Sequence, residues 1–132
     1  MGTFAVPIEV GDLQGTRFER VEALVDSGAS YTRVPRSMLE RLGIQPKERV
    51  PFVIADESTL ENEVGEAMVR IGGRTRLRVV VFGEEGSQSL LGADTLQGFS
   101  LGVDPVQHRL IPVTGLMMLL AQLSHTRDED ED

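Results

Sequence analysis

The segment "EALVDSGAS", Glu22 to Ser30, runs apolar residues straight into a carboxylate and then turns. Ala23, Leu24 and Val25 suit a buried strand, whereas Ser27 and Gly28 are turn formers. Asp26 therefore stands at the end of an apolar strand. A charge in such a water-poor place is costly unless it is paired, hydrogen-bonded or protonated. Asp26 is either an ordinary surface turn acid or a group whose placement serves chemistry. An isolated Asp-Ser-Gly is mostly just a turn, so the rest of the chain must decide.

The surrounding pattern is that of short strands. Phe4, Val6, Ile8 and Val10 alternate with other residues, the period of a half-buried strand. "GDLQG", Gly11 to Gly15, reads as a turn, and "TRFERVEALVD" as a strand, straight or bent, ending at Asp26. "PRSMLERLGI" predicts a short helix. Pro35 suits its first turn, Gly43 the residue after its last, and Met38, Leu39 and Leu42 share a face. Residues 49–73 read as a long hairpin, with Val50, Phe52 and Ile54 alternating outward, Val64, Met68 and Ile71 returning, and "ADESTLENE" at or near the tip. Val79 to Phe82 is apolar throughout and predicts a strand buried on both faces. "LLGADTLQGF" predicts a short strand, a glycine and one helical turn. "SLGVD" and "HRLIPV" are the last strand candidates.

Composition narrows the chemistry. The chain has 132 residues, which suits one domain, and 40% of them are hydrophobic. Aromatics are few and tryptophan is absent, so the core should be aliphatic. The absence of cysteine excludes disulfides, thiolate metal sites and a cysteine nucleophile. The net charge is −8, and Asp128 to Asp132 supply five of those charges. Neither the total nor its distribution suggests nucleic acid as a partner. Signal-peptide features are absent, and "GLMMLLAQL", Gly115 to Leu123, is too short to span a bilayer. The expectation is a cytoplasmic protein with no membrane partner, a domain over residues 1–126 and an acidic disordered tail over 127–132.

"ALVDSGAS" resembles the active-site segment of aspartic proteases. "SLLGADTL", Ser89 to Leu96, resembles that family's second signature, in which apolar residues and a glycine end a strand beside the catalytic loop. Order and spacing are similar to the short retropepsin-like, retroviral and bacterial type. The resemblance implies a mostly-β acid-protease fold, closed and barrel-like, with one or two short helices. It implies Asp26 as the catalytic residue and Ser27, Gly28 and Ala29 as its loop. The Ser27 hydroxyl would lock two loops across a carboxylate dyad. Leu90, Leu91 and Gly92 would support the loop, and Ile54, Ala55, Asp56 and Glu57 would form a flap over substrate. Flaps of the family often carry a glycine near the tip, whereas here the nearest is Gly65.

The chemistry accounts for the opening segment. Peptide hydrolysis without a metal needs an activated water on one side of the carbonyl and a proton donor on the other. Two adjacent carboxylates sharing one proton do both. A second Asp-Ser-Gly or Asp-Thr-Gly is absent from the chain, since in "ADTLQG" Leu96 replaces the glycine. The second carboxylate must come from a second copy, which implies a homodimer with the site on its two-fold axis. The partners are then a second chain and a peptide or unfolded protein. No metal or cofactor is implied. Asp94 reads as a structural residue that caps or orients the helix after Gly92.

Rival readings stay open at this stage. Ser27 as a nucleophile would need a histidine base, and His108 and His125 have no motif around them. A dimeric binding or dimerisation module without catalysis would share the same fold. Beyond Val113, Leu116, Leu119, Leu120 and Leu123 make the stripe of a short amphipathic helix after Thr114, with a continuing strand as the alternative.

Overall fold

The computed structural model describes residues 3–53 and 59–113. Strands β1 (Ala5–Gly11) and β2 (Phe18–Val25) form an antiparallel hairpin, with Ala5 opposite Leu24 and Gly11 opposite Phe18. Alternation decides which face is buried: Ile8 and Val10 on β1 and Ala23 and Val25 on β2 enter the core. Asp12 closes the turn. Its carboxylate accepts from the Thr16 amide at 2.7 Å, the Thr16 hydroxyl at 2.6 Å and the Arg17 amide at 3.2 Å. β2 ends at Val25, so Asp26 is the first residue beyond the strand and not its last.

A short strand, β3 (Thr32–Pro35), follows the Asp26 loop and leads directly into helix α1 (Arg36–Arg41). The sequence pattern did not predict β3, whose four residues lie between a turn and a helix. Pro35 is the residue before the helix, with ψ 138°, and not part of its first turn. The rest of α1 is as expected. Met38, Leu39 and Leu42 are buried, and Gly43 takes the left-handed φ of 74° that ends the helix.

β4 (Glu48–Val53) and β5 (Thr59–Ile71) pair as a hairpin, and β5 pairs onward with β6 (Arg74–Gly83). Val80, Val81 and Phe82 are buried and Val79 half-buried, close to the expected two-faced burial. β7 (Leu90–Leu91) leads into α2 (Ala93–Gly98), and β8 (Leu101–Asp104) pairs with β9 (Arg109–Pro112) as a separate two-stranded sheet.

The main sheet runs β1-β2-β7-β3-β6-β5-β4, and β1 also meets β5. That extra contact bends the sheet into a ring, but not an evenly closed barrel. β3 and β7 meet through one residue pair, Arg33 with Leu90, and β1 and β5 through three. β4 lies outside the ring at the open edge. The core inside is aliphatic, with Ile8, Val10, Val34, Leu39, Val69, Val80 and Leu91 all nearly inaccessible and Phe99 their aromatic neighbour. Each such side chain contributes about 1.5–3 kcal/mol from burial.

The amphipathic stripe from Leu116 to Leu123, the acidic tail and the hairpin tip Ile54–Glu57 lie outside the described residues. Among the described residues no helix is long and apolar enough to cross a membrane.

Candidate active site

Two crossing connections hold the Asp26 loop. β2 runs parallel to β7, with Val25 beside Leu91, while β3 returns on the other side of β7. The Asp26 amide donates to the Leu91 carbonyl at 3.0 Å. The Ala93 and Asp94 amides donate to the carbonyls of Ala29 and Ser30 at 2.8 and 2.9 Å. The first turn of α2 is thereby fastened to the far side of the loop. Both sequence signatures, Asp26–Ala29 and Leu90–Gly92, meet in this one seam.

A buried polar cluster lies beneath the seam. The hydroxyls of Thr32 and Thr95 are 2.6 Å apart, and the Gly92 amide donates to Thr32 Oγ1 at 3.1 Å. Both threonines are fully buried. Each hydroxyl thus has a partner, as burial demands.

Asp26 itself is half-buried in the single chain, and Ser27 and Gly28 are exposed. The Gly28 amide donates to Asp26 Oδ1 at 3.0 Å, and the Ala29 amide to the Asp26 carbonyl at 3.1 Å. The loop thus turns an N–H onto the carboxylate. Glycine serves here for space rather than for backbone freedom. Gly28 does not adopt a left-handed backbone, but a β-carbon there would press on Asp26 Oδ1 at 3.3 Å. Its bareness leaves room for the carboxylate.

A cleft of about 430 Å³ opens beside this loop. Gly28, Ala29, Ser30 and Tyr31 form one wall, and Pro51, Phe52, Leu60 and Asn62 of the β4–β5 hairpin the other. The Tyr31 and Phe52 rings meet edge to face at 6.4 Å and link the two walls. Leu60, opposite Phe52 in the hairpin register, is an exposed apolar residue at the cleft. Of the residues singled out from sequence, Gly28, Ala29 and Leu90 line the cleft. Ser27 instead faces a second groove, beside Leu96, Leu101 and Val103. Tyr31, Arg33 and Val81 are cleft residues that the sequence pattern did not single out. For Arg33 and Val81 the signal is register, which sets them side by side on β3 and β6.

Asp94 does not cap α2, whose N-cap is Gly92; the Arg78 guanidinium lies 3.8 Å from its Oδ2 and donates to its carbonyl at 3.1 Å. His108 stands in the β8–β9 turn and stacks flat on Phe4 at 5.7 Å. Among the described residues no hydrogen bond ties it to Ser27.

Residues 14–98 match the family described as "gag-polyprotein putative aspartyl protease". The chain is therefore a member of that retropepsin-like family. Its fold is similar to the simian foamy virus (mac) protease in solution, at 22% identity and TM-score 0.51, over 70% of this chain and 91% of that one. It is also similar to a retropepsin-like aspartic protease from Rickettsia conorii, at 20% identity and TM-score 0.52, over 78% and 88% of the two chains. No curated protein matches in sequence.

Proposed function

We propose that the protein is an aspartic endopeptidase that works as a homodimer on extended polypeptides. The observation that carries this reading is the placement of Asp26. It lies just beyond β2, whose Ala23 and Val25 are buried, with a loop amide on Oδ1 and a cleft lined by the residues that follow it, Gly28 to Tyr31. Family membership supports the same reading.

Asp26 of each subunit would face the other across a two-fold axis. Two carboxylates at contact share one proton, because both cannot stay ionised in a poorly solvated place. The ionised member takes a proton from the bound water, which attacks the peptide carbonyl. The protonated member donates to the carbonyl oxygen. Collapse of the tetrahedral adduct then sends a proton to the leaving nitrogen. Roles exchange between the two carboxylates, so their titration belongs to the pair. Gly28 would hold Oδ1 in place during these transfers, and Ser27 would brace the paired loops.

The substrate would lie extended between the Asp26 loop and the β4–β5 hairpin, in the manner of an added strand. The hairpin, with Ile54, Ala55, Asp56 and Glu57 at its tip, would act as the flap. The deciding experiment is digestion of an unfolded protein at mildly acidic pH by the parent and by Asp26→Asn, with and without an aspartic-protease inhibitor. Cleavage by the parent alone, blocked by the inhibitor, supports the reading. A parent that sediments as a dimer and binds peptides without cutting them would instead be a silent binding module.

A further inference from the structure

The cleft beside Asp26 is largely apolar, yet a cation forms part of its floor. Arg33 is the one charged side chain among the described residues that line it. Its position follows from the sheet. On β3, Arg33 is paired with Leu90 of β7 on one side and Val81 of β6 on the other. All three line the cleft, so Arg33 stands between Leu90 and Val81 in a row across it. The buried residues Thr32 and Val34 on either side face the core, as strand alternation requires.

The side chain is held but not saturated. Arg33 Nη2 donates to the Gln88 carbonyl at 3.1 Å. A β-carbon on Gly83 would lie 2.9 Å from Arg33 Cγ, so the bare glycine lets the arginine stem lie flat. Arg33 Nε is buried without a hydrogen-bond partner. Nη1 also makes no hydrogen bond among the described residues, and guanidinium N–H groups at that end fit a carboxylate. Among the described residues no carboxylate lines the cleft to meet it.

We propose that Arg33 makes the cleft selective for peptides that place an acidic side chain over its floor, close to the bond to be cut. The inference rests on the reading of this cleft as the peptide site. The surrounding Leu90, Val81, Phe52 and Leu60 lower the local dielectric and strengthen such a pair. The guanidinium is already partly desolvated and fixed by Gln88, so binding orders little that is not ordered beforehand. Apolar neighbours would take the flanking residues, and a lysine at the same substrate position would be repelled.

The test uses fluorescent decapeptides that are identical except for one Glu, Gln or Lys moved through the central positions. Binding is measured to the full chain carrying Asp26→Asn, and cleavage by the parent in parallel. At one position Glu should bind about tenfold or more tighter than Gln, with Lys weakest. Arg33→Gln in the same background should erase the Glu advantage, and Arg33→Glu should turn it into a Lys advantage, a reversal that only a folded cleft can give. A Glu advantage that survives Arg33→Gln, or peptides bound with no such advantage or not bound at all, overturns the proposal. Cleavage judges the other reading separately. Glu-selective binding without cutting defeats the peptidase and leaves Arg33 assigned, while cutting without charge preference does the opposite.

Discussion

Gly92 approaches Tyr31 so closely that a β-carbon on it would lie 2.5 Å from the Tyr31 carbonyl carbon and 2.6 Å from the carbonyl oxygen. The Ala29 carbonyl oxygen would be 3.0 Å away. All of these are backbone atoms and cannot swing aside. The glycine of the second signature therefore fixes how near the Asp26 loop comes to α2.

Gly92→Ala should accordingly lower stability by about 1–3 kcal/mol, the usual cost of forcing atoms into a packed place. It should reduce peptide cleavage further than the lost stability explains, because the displaced backbone carries Asp26. Gly86→Ala is the control. Gly86 has a φ of 83° in an exposed turn, so alanine there is strained but touches nothing. Its urea midpoint should fall while cleavage by the folded fraction stays at the parent rate. Equal activity for both variants would show that the seam does not position the loop.

Asp26→Asn should leave circular dichroism and sedimentation unchanged and reduce cleavage by at least about a thousandfold, since an amide cannot serve as base in a process that needs one. Parent cleavage plotted against pH should be bell-shaped, with two limbs that report the shared-proton pair. A flat profile between mildly acidic and neutral pH would count against a dyad.

The fold around the candidate site was legible where it is local and illegible where it depends on pairing. The apolar lead-in to Asp26, the alternation of Ile8 and Val10 and the glycine after α1 all show within a few residues of chain. β3 did not, because Thr32 is a buried polar residue whose hydroxyl is satisfied by Thr95 and the Gly92 amide, both far along the chain. Arg33 reads as a surface cation until β6 and β7 are placed on either side of it. Gly28 shows a subtler limit. Glycine at a turn suggests backbone freedom, yet here the reason is the nearness of a side chain.

The Thr32–Thr95 pair offers a quantitative check on the buried cluster. Thr32→Val leaves the Thr95 hydroxyl and the Gly92 amide without their partner. It should cost about 2–4 kcal/mol, since each buried orphan costs about 1–3. Thr95→Val leaves the Thr32 hydroxyl still accepting from Gly92, and should cost less. The double variant should be markedly less damaging than the sum of the singles, because the second substitution removes an orphan that the first created. Urea unfolding of the four proteins gives the coupling. Strict additivity would mean that the two hydroxyls do not depend on each other.

Asp12 links the fold to pH. The Thr16 hydroxyl, then the Thr16 and Arg17 amides, hold its carboxyl below the ordinary aspartate range. A carboxylate favoured in the folded state contributes stability above its unfolded pKa, about 3.9. That contribution is lost as pH falls through the lower folded value. Glu9, held down by Arg70, and Glu85, held down by the Ser37 amide, act in the same direction. The urea midpoint should therefore hold steady from neutral pH to about 5 and fall steeply below about 4. These structural acids stay charged across the mildly acidic range in which an aspartic dyad works. Asp12→Ala should lower the midpoint at pH 6 and shrink its fall between pH 5 and 3, since one proton-linked group is gone. Thr16→Val removes the strongest donor but keeps both amides, so its fall should lie between those of the parent and Asp12→Ala. If the three proteins lose the same stability on acidification, the Asp12 turn is not among the groups whose protonation loosens the fold.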